Sequence, residues 1–236
     1  MKFILCLCDL TGIMAEPWLD AGYSAILIDP QHEQSSVTTH GGGGVVIKVS
    51  AVIDSPDSWS VIKNHINDIV FVAGFPPCTD VAVSGAAHFG RKRKADPHFQ
   101  TKAALIAEQC KVIGSITGAP WFFENPVSVF ASIFGKPDFT FNPYEYGGYL
   151  PENDSHPTYP DYIAPRDAYP KKTCLWVGNG FVMPKKISVQ FDGGYSAQHT
   201  KLGGKSDRTK NIRSATPRGF AKAVFDAHGS LAQEQK

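Results

Sequence analysis

Four side chains able to do chemistry each stand just past an apolar run: Asp9 after Lys2–Cys8, Asp29 after Ser24–Ile28, Cys78 after Asp68–Ala73, and Glu124 after Pro120–Phe123. A thiol becomes a strong nucleophile once deprotonated. Two fixed φ angles at Pro76 and Pro77 make a stiff loop, which suits presenting Cys78 in one orientation. A carboxyl behind Trp121-Phe122-Phe123 loses solvation, which raises its pKa and lets it keep a proton to donate to a ring nitrogen. Asp9-Leu10-Thr11-Gly12 reads as a tight turn where a cofactor could meet backbone amides. Asp29 holds the position from which a carboxylate binds ribose hydroxyls in dinucleotide folds. Taken singly, each has a plainer reading: Asp9 a turn former, Asp29 a loop carboxylate, Cys78 a structural thiol, Glu124 a cap for the helix after Pro126.

These groups converge only if the runs before them are parallel strands of one sheet, because open α/β sheets bind ligands beyond the carboxyl ends of their strands. The rest of the chain supports that requirement. Its 236 residues, 42% apolar and 19% charged, suffice for one large α/β domain over residues 1–236. After the first two strands, Pro30–Gly44 is polar and ends in four glycines, the signature of a loop, and Val45–Val49 follows as a third strand. Phe99, Ala103, Ile106, Cys110 and Ile113 repeat at helical spacing, with Asp96 placed to cap that helix and Pro97 to open it. Residues 143–170, rich in Pro, Tyr and Asp, read as an irregular insertion. Lys172–Val177 is a further strand, and 184–215 a polar, Gly-rich segment. Thr216-Pro217 opens a last helix with Phe220, Ala221, Val224 and Phe225 as its stripe. The last eight or so residues read as frayed.

Charge and cysteine usage narrow the setting. The net charge of +1 neither demands nor excludes a nucleic-acid partner. One dense basic run, Arg91-Lys92-Arg93-Lys94, lies shortly after the Cys78 loop; it is either a solvated turn or a set of phosphate contacts. No apolar run approaches the roughly 18 residues that span a bilayer, and the start has no signal-peptide pattern. Five cysteines without disulfide-like spacing fit a reducing cytoplasm. Cys6-x-Cys8 lacks partner ligands, so no metal is expected. Cys110 and Cys174 belong to the core.

In this order, the pieces resemble the cytosine-5 DNA methyltransferase family, most of all its small phage-type members. The blocks are Asp9-Leu10-Thr11-Gly12 with Glu16-Pro17-Trp18 and Ala21-Gly22-Tyr23; Ile28-Asp29-Pro30-Gln31-His32; Gly74 through Gly85, with Pro76-Pro77-Cys78 at its centre; Glu124-Asn125-Pro126; and Thr216-Pro217-Arg218-Gly219-Phe220-Ala221. Lys171-Lys172-Thr173-Cys174-Leu175-Trp176 also looks like the phage-type members. The resemblance implies a Rossmann-like S-adenosylmethionine-dependent methyltransferase fold with a mostly parallel sheet and a reduced target-recognition region. It implies transfer of a methyl group to carbon 5 of a cytosine flipped out of double-stranded DNA. Cys78 would attack carbon 6, with Pro77 shaping its loop. Glu124 would hold ring nitrogen 3, and Asn125 would brace the Cys loop. Asp9, Thr11, Gly12 and Pro76 would line the methionine end of S-adenosylmethionine, Asp29 its ribose. The last helix would pack beside the first strand and close that pocket. Arg91, Lys92, Arg93 and Lys94, with Lys171 and Lys172, would meet DNA.

The chain also departs from the pattern. Ile13 and Met14 follow Gly12 where the family's cofactor turn is richer in glycine, and Val52 stands where it places an acid facing adenine. The Gln-x-Arg-x-Arg block is replaced by Lys171 and Lys172. About thirty residues remain for target recognition. Two other readings stay open: a cytosine-modifying relative that acts on RNA or with another one-carbon donor, and a catalytically silent nucleic-acid-binding relative. A nicotinamide dehydrogenase is disfavoured, since Asp9–Glu16 holds no Gly-x-Gly-x-x-Gly turn.

Overall fold

The computed structural model describes residues 1–191, 193–203 and 206–229; from residue 230 on, the tail read as frayed lies outside the described residues. The chain is α/β. In order it forms β1 (Phe3–Leu7), α1 (Glu16–Asp20), β2 (Ser24–Ile28), β3 (Ser36–Thr39), β4 (Val45–Val49), α2 (Pro56–His65), β5 (Ile69–Gly74), a 3₁₀ turn (Val83–His88), α3 (Phe89–Ala95), α4 (Phe99–Thr117), β6 (Trp121–Pro126), α5 (Phe130–Ile133) and β7 (Phe139–Phe141). Two further 3₁₀ segments (Pro143–Tyr149 and Pro165–Asp167), β8 (Thr173–Gly178), α6 (Ala197–Thr200), α7 (Asp207–Ser214) and α8 (Arg218–His228) complete it. By contact, the chain divides into two units: Met1–Thr140 with Thr173–Phe181, and Phe141–Lys172 with the chain from Val182 on.

The eight strands lie in the order β3-β4-β2-β1-β5-β6-β8-β7. β4, β2, β1, β5 and β6 run parallel, while β3 is antiparallel to β4 and β8 antiparallel to β6. Register sets the height at which each strand ends. Leu7 pairs with both Ile28 and Gly74, Ile28 with Val49, and Gly74 with Phe123. The carboxyl ends of β4, β2, β1 and β5 are therefore level, and β6 leaves its partner β5 at the same height. The strand order reverses direction about β1, and the crevice at such a point is where doubly wound sheets hold ligands.

The central strands β1 and β2 are buried along their whole length, so they read as continuous apolar runs. Alternate residues of β1 (Phe3, Leu5, Leu7) pack with Ile62 of α2 and with Ala103, Ala107, Cys110 and Ile113 of α4. Phe71 and Phe122 gather with Trp18 of α1 and with Phe181 at ring-centroid distances of 5.4–6.2 Å. Each such aromatic, fully buried, contributes about 1.5–3 kcal/mol.

Three readings made from the sequence are changed by the structure. The polar stretch 30–44 contains β3, whose exposed Ser-Val-Thr-Thr run has no apolar alternation and is a strand because it pairs with β4. Asp96 does not cap α4, whose N-cap is His98; it ends α3, accepting from the His98 amide at 2.9 Å and from Lys102 Nζ at 2.7 Å. Glu124-Asn125-Pro126 does not end β6 but continues it, paired with Leu175, Cys174 and Thr173 of β8. The unit begun by Phe141 has its own core, in which Phe220 of α8 stacks on Phe141 at 4.1 Å and meets Tyr146 at 5.2 Å. There Arg218 donates to both oxygens of Asp154, and the Gly219 amide donates to Asp167 at 2.8 Å.

Candidate active site

The level strand ends bring Asp9, Asp29, the Cys78 loop and Glu124 to one edge of the sheet, all within the first unit. β1 runs into Cys8, which adopts φ 56°, a left-handed conformation uncommon for a residue with a side chain. That turn carries the chain to Asp9, only 4% exposed. Asp9 Oδ1 accepts from the Thr11 amide at 2.8 Å, the Thr11 hydroxyl at 2.9 Å and the Gly12 amide at 2.9 Å. Gly12 sits at φ 73°, and a Cβ there would come within 3.0 Å of Leu27 Cδ1, so the turn favours glycine on both counts. Asp9 Oδ2 is buried and has no hydrogen-bond partner among the described residues. Burial raises the Asp9 pKa; its three hydrogen bonds pull it back down, and the charge of Asp29 pushes it up.

Asp29 is 6% exposed and accepts from the Gln31 amide at 2.8 Å through Oδ1. Three residues on, His32 is also buried. Its Nε2 likewise has no partner among the described residues. Burial lowers the His32 pKa against the opposing charges of Asp29 and Asp9, which favours a neutral ring. Ser50, just past β4, donates to the His32 carbonyl at 2.6 Å and ties the loop after β2 to the loop after β4. A buried polar atom left unpaired costs about 1–3 kcal/mol, so such atoms mark places for water or a ligand. Asp9 Oδ2 and His32 Nε2 are two such atoms, with Asp29 between them in sequence. Two carboxylates and a neutral imidazole suit a ligand that brings hydroxyls and positive charge.

The Cys78 loop is fixed from several sides. Gly74 ends β5 where α4 comes closest; a Cβ there would stand 2.9 Å from Cys110 Cβ and 3.2 Å from Phe123 Cβ. The Phe75 amide then donates to Leu7 O at 2.9 Å. Pro76 is buried and Pro77 exposed. Asn125 Nδ2 donates to Pro76 O at 2.9 Å from a side chain 1% exposed. That bond joins Glu-Asn-Pro to Pro-Pro-Cys across 49 residues. After Cys78, its carbonyl accepts from the amides of Val81 (3.1 Å) and Ala82 (2.9 Å), and Ala82 bridges to Ser128. Glu124, next to Asn125, is half-buried, more open than its apolar strand predicts, because it lies at the sheet's edge beyond the last β5–β6 pair. Asn125 Oδ1 is a third buried atom without a partner among the described residues.

The cysteines separate by environment. Cys6, Cys110 and Cys174 are buried and belong to the core, while Cys8 and Cys78 are partly exposed; none of the five is in a disulfide. Burial pushes the Cys6 thiol up, and a hydrogen bond with Cys8 together with burial does the same to Cys110.

The basic run forms α3. Arg91, Arg93 and Lys94 are exposed, whereas Lys92 turns inward to Asp80 Oδ1 at 2.6 Å and Thr79 O at 2.7 Å. Lys171 and Lys172 precede β8 and fall in the second unit. Val52 is 52% exposed. The sequence reading gave no role to His32, although it ends the Ile28-Asp29-Pro30-Gln31-His32 block, nor to Ser50 or Cys8. Buried orphan atoms and backbone twist are properties of the folded chain, and residue types alone do not carry them. Among the described residues, no cluster of three His, Cys, Asp or Glu could hold a metal ion, and no helix is long and apolar enough to cross a membrane. Compared with protein-family models and with curated proteins, the chain finds no match.

Proposed function

We propose that this chain is a DNA cytosine-5 methyltransferase, built on a Rossmann-like sheet of the S-adenosylmethionine-dependent kind. The observation that carries this reading is the buried Asn125–Pro76 hydrogen bond, which fixes a Pro-Pro-Cys loop beside a Glu-Asn-Pro strand at the ligand-binding edge of the sheet. The sheet adds to it. The order β4-β2-β1-β5-β6 follows a doubly wound dinucleotide fold, but antiparallel β8 stands between β6 and β7, where a dinucleotide fold has only parallel neighbours.

S-adenosylmethionine, when bound, supplies an electrophilic methyl group on a sulfonium. The residues present fit it: the Asp9-Thr11-Gly12 turn and Pro76 would hold its methionine end and Asp29 its ribose hydroxyls, and Asp9 Oδ2 and His32 Nε2 are buried polar atoms that a ligand could satisfy. The Cys78 thiolate forms a bond to carbon 6 of a flipped cytosine. Glu124 gives a proton to nitrogen 3, so the electron pair of the carbon 5–carbon 6 bond becomes an enamine with its nucleophilic end at carbon 5. Carbon 5 takes the methyl group and leaves a neutral thioether behind. A water molecule then takes the proton from carbon 5. The electron pair of that C–H bond re-forms the carbon 5–carbon 6 double bond and expels Cys78 as thiolate. Nitrogen 3 returns its proton to the Glu124 carboxylate, and the aromatic ring is restored. Covalent attack thus divides one difficult step into easier ones.

The test is to incubate the protein with S-adenosylmethionine tritiated at the methyl group and compare duplex DNA, single-stranded DNA and RNA as acceptors. Label on carbon 5 of cytosine in duplex DNA is expected. Label in RNA alone overturns the reading in favour of an RNA-modifying relative; cofactor binding without label on any acceptor makes the chain a silent relative.

Asp29 gives an independent check on the cofactor end. Asp29→Ala is expected to weaken S-adenosylhomocysteine binding by about 1.5–3 kcal/mol, the worth of a charge-assisted hydrogen bond. Calorimetry on wild type and variant measures it, and equal affinities would remove Asp29 from the site.

A further inference from the structure

Lys92 sits in the middle of a basic run but does not face outward with it. Its ammonium lies 2.7 Å from Thr79 O and 2.6 Å from Asp80 Oδ1, the two residues that follow Cys78. Its Nζ also stands 6.0 Å from the centre of the Phe99 ring, which Phe89 meets edge-on at 5.7 Å. The Lys92 side chain is 26% exposed, while Arg91, Arg93 and Lys94 on the same short helix are exposed.

The Cys78 loop is thus held by a side chain on each flank. Asn125 bonds the carbonyl two residues before the thiol, and Lys92 bonds the carbonyl one residue after it. Between them, the Cys78 carbonyl accepts the Val81 and Ala82 amides. Asn125 was legible as a brace for the loop; the second brace was not. Ammonium has three donors, and a backbone carbonyl together with a carboxylate is a better fixed pair of acceptors than a mobile phosphate. The neighbouring Asp80 also cancels most of the field that Lys92 would project toward DNA.

We propose that Lys92 is a positioning residue for the nucleophile, which locks the chain just after Cys78 through Thr79 O and Asp80, and that the phosphate contacts of this run fall to Arg91, Arg93 and Lys94. This rests on the reading of Cys78 as the nucleophile. A displacement of about 1 Å at a reacting atom can cost roughly 10²-fold in rate, so loosening one flank of the loop should act on turnover and not on affinity.

The experiment compares wild type with Lys92→Met, Lys92→Arg, Asp80→Asn and a triple variant, Arg91→Ala/Arg93→Ala/Lys94→Ala. Two readouts need neither cofactor nor DNA: hydrogen exchange at the Val81 and Ala82 amides, and iodoacetamide labelling of Cys78 followed by mass spectrometry. Two others are kcat against KM on duplex DNA and the salt dependence of DNA affinity. Lys92→Met should speed exchange at both amides and lower kcat by about tenfold or more, leaving KM and the salt slope close to wild type. Lys92→Arg, which can reach both acceptors, should restore most of kcat; Asp80→Asn should fall between. The triple variant should do the opposite, flattening the salt slope by about 0.9 for each phosphate no longer neutralised, with amide exchange at Val81 and Ala82 and labelling of Cys78 as in wild type. The proposal is overturned if Lys92→Met leaves exchange and labelling unchanged, or if it flattens the salt slope like the triple variant. Should wild type transfer no methyl group, the exchange and labelling results still decide for or against Lys92 as the brace.

Discussion

Cys78→Ser is expected to abolish methyl transfer, by about 10⁴-fold or more, the scale on which loss of a covalent nucleophile is felt. The size follows from the chemistry of the atom exchanged. A thiol is ionised in small but useful amount near neutral pH, whereas a serine hydroxyl is not unless a base stands beside it. The substitution should leave the loop in place, because the Pro76, Cys78 and Thr79 carbonyls that Asn125, the Val81 and Ala82 amides and Lys92 bind are backbone atoms that a serine keeps. Thermal unfolding and S-adenosylhomocysteine affinity should therefore match wild type. Duplex DNA carrying 5-fluorocytosine offers the sharper measurement, since fluorine cannot leave carbon 5 as a cation in the way hydrogen leaves as a proton, and the enzyme stays bonded to carbon 6. Wild type should run as a denaturation-resistant protein–DNA adduct, and Cys78→Ser should not. An adduct that survives in the variant would assign the attack to another residue; Cys8, the other partly exposed cysteine, is then the first to replace.

How far such a site can be read ahead of the structure depends on whether its causes are local. β2 and β4 occupy the residues that their apolar runs mark, Ser24–Ile28 and Val45–Val49; β2 is buried along its whole length, as a strand covered on both faces requires, while β4 buries Val46 and Val49. The stretch 50–67, to which no element was assigned from the sequence, holds α2. Its start signals are present, with Ser55 accepting the Ser58 amide at 3.1 Å and Pro56 in the first turn. Its stripe is weak: Ser58 and Ile62 are its buried residues. β3 and the continuation of β6 through Glu124 and Asn125 escaped for another reason. Their hydrogen bonds go to β4 and β8, and nothing within Ser36–Thr39 or Glu124–Pro126 names those partners. That Asp9, Asp29, the Cys78 loop and Glu124 gather at one edge of the sheet was legible because each stands at or shortly after the end of an apolar run. Their support was legible in part: Asn125 lies beside Glu124 in a motif, but Lys92 meets Thr79 only after α3 folds back, and the sequence offers four adjacent basic residues with no sign of which one turns inward.

Glu124→Ala is expected to lower kcat by roughly 10²–10⁴-fold, the usual worth of a placed general acid. The expectation stands on placement. Asn125, the next residue along β6, is bonded to Pro76, so the strand that carries Glu124 is locked to the loop that carries Cys78. A carboxyl held there can meet a base that Cys78 attacks, and a proton given to nitrogen 3 draws off the electron density that attack at carbon 6 pushes into the ring. Without it, the adduct must form as an anion, with no other acid named for the task. Glu124→Gln separates two contributions. Its amide can donate a hydrogen bond to nitrogen 3 but cannot transfer a proton, so it should fall between wild type and Glu124→Ala. Both variants should bind S-adenosylhomocysteine as wild type does, since Asp9 and Asp29 sit at the ends of other strands. The measurement is single-turnover methylation of duplex DNA at saturating cofactor and DNA, alongside the rate of adduct formation with 5-fluorocytosine. A matched fall in both rates places Glu124 at the attack step. Near-normal turnover by Glu124→Ala would leave activation of the ring to another donor, and the carboxyl would then serve only the β6–β8 edge of the sheet.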